Sequence, residues 1–234
     1  MAKSKKQTEQ TTGGALLENP DALADQLSKT EEFIEKNKGL VLGVLAGLIL
    51  IVGGYFAFDA YKNSQNIEAQ NEMFQAIYYF EADSLQLALN GDGINLGFKD
   101  IIAEYGFTDA ANLATYYAGA SFLKQGDAKS ALLYLEDFGT NDLLVQARAY
   151  ALVGDAHMQL EEYGAAATAY EKAADYKGNK FFSPRYLMKA ALAHERADNL
   201  QAARGAYEVI ITEYWDSSEV QNAKKLKARL EKAS

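Results

Sequence analysis

The 234-residue chain has no cysteine, two prolines and two histidines, and its bases are outnumbered, 23 Lys+Arg against 32 Asp+Glu. The missing thiols exclude a disulfide framework, a cysteine nucleophile and any cysteine-ligated metal or cluster. An acidic balance argues against nucleic acid as a partner. Neither a G-x-G-x-x-G turn nor a P-loop occurs, so the sequence offers no nucleotide cradle. With proline so scarce, and apolar residues recurring at helical rather than alternating spacing, the predicted fold is all-α.

What the chain does have is one charge-free run, "GLVLGVLAGLILIVGGYFAF", from Gly39 to Phe58. Its length as a helix is about 30 Å, the thickness of a bilayer's hydrocarbon core. Lys38 and Asp59 bound it sharply and no polar stripe interrupts it. A cleaved signal starts near the N-terminus, whereas polar residues fill the chain up to Lys38, so the run reads as an uncleaved N-terminal transmembrane helix over 39–58. Tyr55, Phe56, Phe58 and Tyr61 gather at its far end, where rings meet headgroups. Lys3, Lys5, Lys6, Lys29, Lys36 and Lys38 precede it, and the next twenty residues hold only Lys62. That asymmetry predicts a cytosolic N-terminus and a C-terminal part outside the cytosol.

Within the run, Gly39, Gly43 and Gly47 are four apart and Gly54 falls near the same line. They make a flat flank on which a second helix can pack, set against the plain enrichment of glycine in spans. Upstream, residues 1–18 are polar and predicted to be disordered. Asn19-Pro20-Asp21 then reads as a cap and a first-turn proline, opening a juxtamembrane helix over 19–38 with Leu23, Leu27 and Ile34 on one side. Such a helix docks on a cytosolic partner, lies on the headgroups or extends the span.

Beyond the span an internal repeat governs the chain. "YYAGASFLKQGDAKSALLYLEDF" (116–138), "ALVGDAHMQLEEYGAAATAYEKA" (151–173) and "MKAALAHERADNLQAARGAYEVI" (188–210) carry the same small and aromatic beats. Each predicts a helix, a turn near Gly126-Asp127, Glu161-Glu162 or Asp198-Asn199, and a second helix. Ala131, Ala166 and Ala203 stand where the helices must approach closely, followed four residues later by Leu135, Tyr170 and Tyr207. The pattern resembles the tetratricopeptide repeat, with Gly119 and Gly154 at its glycine and Ala191 replacing it in the third copy. Thr115, Tyr150 and Leu187 hold the place of its first tryptophan, and Trp215 stands where that family usually has proline.

The predicted layout is a linker helix and degenerate first repeat over 59–111, repeats over 112–217 and a capping helix over 218–234. Three to four repeats form an α-solenoid. Val220, Ala223, Leu226 and Leu230 make the stripe that closes the stack, with Ser218-x-x-Gln221 as a capping box.

Little catalytic chemistry is legible. His157 and His194 occupy one repeat position on successive repeats, too far apart to share a metal, and read as packing residues. "NGDGINLG" (90–97) puts Ile94 and Ile101 where an EF-hand needs oxygen ligands, and reads as an inter-helix turn. No nucleophile, base and acid can be assembled, so an amidase or peptidase reading is disfavoured. The basic patch Lys224, Lys225, Lys227, Arg229 and Lys232 reads as the wet side of the capping helix.

In tetratricopeptide arrays the first helix of each repeat lines a concave groove. By that resemblance Tyr116, Lys124, Arg148, Asp155, Gln159, Arg185, Met188 and Glu195 point into it, a mixture suited to extended polypeptide. The order of parts, from charged tail through one span to a small repeat domain, is similar to that of the YfgM-like proteins of the bacterial inner membrane. "GFKDIIAEYGFTDAANLATYYAGASFLKQGDAKSALLYLEDF" and "EYWDSSEVQNAKKLKARLE" resemble versions from Bacteroidetes-type bacteria. The resemblance implies a single-pass inner-membrane protein with a periplasmic domain, ancillary to the SecYEG translocon and paired with the chaperone PpiD. Unfolded or nascent exported polypeptides are its implied clients, membrane lipid surrounds its one span, and no cofactor is required. The alternative is a repeat scaffold for another envelope complex, such as cytochrome maturation or secretion machinery. Replacing Gly43 and Gly47 with leucine is expected to weaken recovery of Sec components in a mild-detergent pull-down; unchanged recovery would remove the glycine flank from the account.

Overall fold

The structure, a computed structural model, describes residues 20–232, which form eleven helices and no strand. The expected all-α class is what is observed. The tail 1–18, the cap Asn19 and the side chain of Leu23 lie outside the described residues. The chain divides after Ala60 into two units.

In the first unit α1 (Pro20–Lys36) is followed, after Asn37 alone, by α2 (Lys38–Glu81). The apolar helix is therefore not at the N-terminus, as the sequence had suggested, because α1 precedes it. Nor does the helix end at Phe58. Asp59 and the Asn, Gln and Glu residues after it change what the helix can face, but none removes a backbone donor, so α2 runs on for 44 residues in all. Among the described residues it is the helix long and apolar enough to cross a membrane, with mean hydropathy 2.5 in its most apolar window and none of that window buried. A Cβ added at Gly39, Gly43, Gly47 or Gly54 would meet nothing within 4 Å.

The second unit starts at Tyr61 on α2. It continues through α3 (Leu85–Asn90), α4 (Phe98–Glu104), α5 (Asp109–Lys124), α6 (Ala128–Asp137), α7 (Leu143–Gln159), α8 (Tyr163–Asp175), α9 (Ser183–Arg196), α10 (Leu200–Glu213) and α11 (Val220–Lys232). From α5 onward each helix packs on the next in chain order, and α5 also touches α7.

One turn is used four times. In it the middle residue donates its N–H to the carbonyl three back, and the next residue donates to the carbonyl five back: Asp83 to Phe80 and Ser84 to Tyr79; Gly126 to Leu123 and Asp127 to Phe122; Glu161 to Met158 and Glu162 to His157; Asp198 to Glu195 and Asn199 to His194. This is the Schellman closure, and it requires a left-handed residue at its centre. Gly126 supplies it at φ 85°, but Asp83, Glu161 and Asp198 adopt it at φ 58°, 59° and 57° with side chains attached. The residue after the centre then opens the next helix. Asp127 accepts from the N–H of Ser130 at 3.1 Å and Asn199 from that of Ala202 at 3.2 Å.

Such a turn folds the second helix back onto the first, and small residues set how closely. Gly119 faces Leu135 and Gly154 faces Tyr170, sixteen residues on in both cases; an added Cβ would lie 2.5 Å from Leu135 Cγ and 2.5 Å from Tyr170 Cε1. Ala191 and Tyr207 hold the matching positions in the third pair, at 0% and 1% exposure. Ala131, Ala166 and Ala203 are wholly buried beside them. At the end of the chain Val220, Ala223 and Leu230 are buried, with Leu226 packed against the same cluster. The expected capping box is not formed. α11 begins at Val220, and the Ser218 hydroxyl donates to the Glu219 carboxylate at 2.9 Å instead of capping the backbone.

Glu161→Gly is expected to raise stability by about 0.5–1 kcal/mol, the left-handed penalty it removes less the added freedom of the unfolded chain. Gly154→Ala is expected to lower it by about 1–3 kcal/mol through overpacking against Tyr170. Denaturant titration of the full chain in detergent checks both signs.

Candidate functional site

Three first helices of successive pairs, α5, α7 and α9, bear all eight residues expected to line a groove. Tyr116 is buried on α5, its ring edge-on to Tyr117 at 5.4 Å and tilted against Phe138 at 5.5 Å. Arg148 on α7 is exposed beside it. Burial pushes the Tyr116 hydroxyl above the ordinary tyrosine pKa, and the Arg148 guanidinium opposes that push. Tyr186 on α9 is shifted in the same direction by burial, with Arg148 and Arg185 both opposing. Tyr116, Arg148 and Arg185 are thus drawn round one set of tyrosine hydroxyls from three helices.

Between these helices lies a cleft of about 330 Å³. Phe80 and Glu81 from α2, Leu113, Tyr116 and Tyr117 from α5, and Leu144, Val145 and Arg148 from α7 form its wall. No second helix of a pair contributes to that lining. Its floor is an aromatic stack: Tyr117 lies parallel to Phe98 at 5.3 Å and edge-on to Phe80 at 5.3 Å. The Lys124 ammonium sits 4.9 Å from the centre of the Phe80 ring.

The other expected groove residues are engaged in ties between repeats. Lys124 pairs with Asp83 at 2.6 Å and Gln159 donates to the Leu123 carbonyl at 3.3 Å. Asp155 accepts from the Tyr170 hydroxyl at 2.6 Å and from Lys189 at 2.7 Å. Glu195 accepts from the Tyr207 hydroxyl at 2.6 Å and from Arg229. Met188 is half-buried against the C-terminal cluster. Lys189 and Arg229 each lie 34 residues beyond the acid they meet, so one arrangement recurs: a tyrosine of the second helix and a cation of the following repeat share one carboxylate. Burial, then the accepting carboxylate, holds the Tyr170 and Tyr207 hydroxyls well above the usual tyrosine range, so both remain neutral donors.

These ties change the charge of the face. Lys124, Asp155 and Glu195 are neutralised internally, whereas Arg148 and Arg185 have no ion pair among the described residues. Glu81, which also lines the cleft, is exposed and has no ion pair among the described residues, so the cleft is bordered by free charge of both signs.

His157 and His194 are mostly buried and meet acids, Glu162 at 2.7 Å and Glu171 at 2.8 Å. In the 90–97 segment Asp92 accepts from the backbone of Ile94 and Asn95 and from the Tyr79 hydroxyl, which folds the loop and holds the carboxyl well below its ordinary pKa. On α11, Lys227 pairs with Glu208 and Arg229 with Glu195, which leaves Lys224, Lys225 and Lys232 as bases of that helix with no ion pair among the described residues.

Phe80, Tyr117, Leu144, Val145 and Tyr186 were not singled out from the sequence. A signal for Phe80 exists: it stands three residues before Asp83, as Leu123 stands before Gly126. Tyr170→Phe is expected to cost about 1.5–3 kcal/mol, as loss of a bond to a charged acceptor does. Asp155→Asn should cost less in that background than alone. Additive effects in a double-mutant cycle, measured by denaturation, would dismiss the shared carboxylate.

Comparison with protein family models, with curated proteins and with solved structures gives no match for this chain.

Proposed function

We propose that the chain is a single-pass protein of the bacterial inner membrane, of the YfgM-like kind, whose tetratricopeptide-like solenoid stands in the periplasm and holds unfolded or nascent exported polypeptide. α2 carries the anchor and the N-terminus is cytosolic, by the lysine asymmetry around the span. SecYEG and a PpiD-like chaperone are its neighbours, by resemblance of the whole arrangement.

The observation that supports the reading is the cleft between α2, α5 and α7. It is apolar and aromatic at its base, sized for a side chain or two rather than a large cofactor, and bordered by an arginine with no ion pair. Extended polypeptide offers such a site one side chain at a time, with its own polar backbone left to the rim. Weak single contacts suffice when a tether keeps the site where clients emerge, because the effective concentration is then set by the tether. Nothing in this binding requires bond making or breaking.

A photocrosslinking residue at Leu144, which is 51% exposed and lines the cleft, is expected to yield adducts dominated by exported chains in native membranes. Leu133 on α6, 74% exposed and outside the lining, should not. Arg148→Glu should reduce the Leu144 adducts several-fold. A single stoichiometric folded partner in their place would overturn the reading and favour the envelope-assembly scaffold.

A further inference from the structure

The two edges of the second unit differ. Hairpin turns 82–84, 125–127, 160–162 and 197–199 form one edge, and its exposed residues include Asp83, Asp127, Glu161, Glu162 and Asp198. The opposite edge consists of the loops before α5, α7, α9 and α11. These are tied in sequence: Asn112 to Gly139 at 2.9 Å, Tyr176 to the Thr140 carbonyl at 3.0 Å, Lys177 to the Asn141 carbonyl at 2.5 Å, and Lys180 to Asp216 at 3.3 Å.

Large rings protrude along this second edge. Phe107 is 42% exposed, Phe181 70% and Trp215 73%. Two acids of this edge are paired, Asp109 with Lys62 at 3.1 Å and Asp216 with Lys180, while Glu104 and Glu213 are exposed. The same edge receives the chain where it enters the unit. Tyr61 stacks on Phe107 with centroids 5.7 Å apart, and Asn66 accepts from the N–H of Ala110 at 2.9 Å. Phe58, the last residue of the apolar run, lies three residues upstream of Tyr61, a reach of about 10 Å at most whatever path the chain takes.

We infer that this aromatic edge seats on the bilayer surface, with Phe107, Phe181 and Trp215 in the headgroup layer. The inference rests on Gly39–Phe58 being a membrane span. Trp215, with an apolar body and a polar indole N–H, favours that layer, and Phe107 and Phe181 add apolar area that can enter the boundary between headgroups and acyl chains. The acidic turns of the other edge then face away from the membrane. The seat holds the cleft side-on to the bilayer, because α5 and α7 both start at the seated edge.

Trp215 is the chain's single tryptophan, so its emission reports this edge alone. The full-length protein is reconstituted into phosphatidylethanolamine/phosphatidylglycerol vesicles with and without lipid brominated on the upper acyl chain, and the same samples are floated on a density gradient. The expected result is co-flotation, an emission maximum shifted to the blue, loss of most intensity in brominated vesicles and protection from aqueous iodide. A floating chain whose Trp215 is open to iodide and indifferent to bromine overturns the seated edge and leaves the span standing. Emission indifferent to both quenchers places the ring against protein and overturns it as well. A chain that stays at the bottom of the gradient overturns the span, and this inference with it.

Discussion

Close approach of two helices within a pair is the constraint on which the second unit depends. At Gly154 the absent Cβ leaves the space that Tyr170 fills, and Leu135 fills the corresponding space at Gly119. The ring can reach across only because the hairpin turn returns α8 at a fixed register. The turn in turn holds left-handed residues with side chains at Asp83, Glu161 and Asp198. Helix pairing outweighs that local cost, since each pair buries alanines together with a large side chain, Leu135, Tyr170 or Tyr207.

From that packing follows the way repeats are joined. Once a second-helix tyrosine is buried, its hydroxyl needs an acceptor, and Asp155 and Glu195 supply one from the first helix of the same pair. A buried or half-buried carboxylate needs a cation, and the next first helix or α11 provides it 34 residues on. The polar ladder is thus a consequence of filling the core with tyrosine rather than phenylalanine. It also engages Lys124, Asp155 and Glu195 on the first-helix face, which leaves Arg148, Arg185 and Glu81 as the unpaired charges there.

The two ends of the helices have been treated differently by the sequence. Each hairpin turn needs a left-handed residue for the Schellman closure, and Asp83, Glu161 and Asp198 supply it as well as Gly126, so that edge gathers acids. Loops between pairs are longer and, although Thr108 and Asp142 cap the helices that follow, have room for bulky exposed residues such as Phe181 and Trp215. Their exposure is what gives the unit a polarity from one edge to the other.

The all-helical class, the apolar run from Gly39 to Phe58 and the three turns near Gly126, Glu161 and Asp198 were all legible in the sequence, because period, hydropathy and turn chemistry are local properties. So was the place of Ala131, Ala166 and Ala203 at the close approach, since a repeated beat shows spacing without coordinates; that Gly119 meets Leu135 and Gly154 meets Tyr170 across the pair appeared only with the packing. The fourth turn was hidden because Asp83 lies outside the three aligned stretches whose shared beat marked the others, and the continuation of α2 past Phe58 because a change of solvent there resembles a change of structure. Tertiary structure alone decided which groove residues are spent. Whether Lys124, Asp155 and Glu195 face a ligand or a neighbouring helix depends on residues 34 to 41 positions away, a distance over which pattern says nothing and only packing brings charges together.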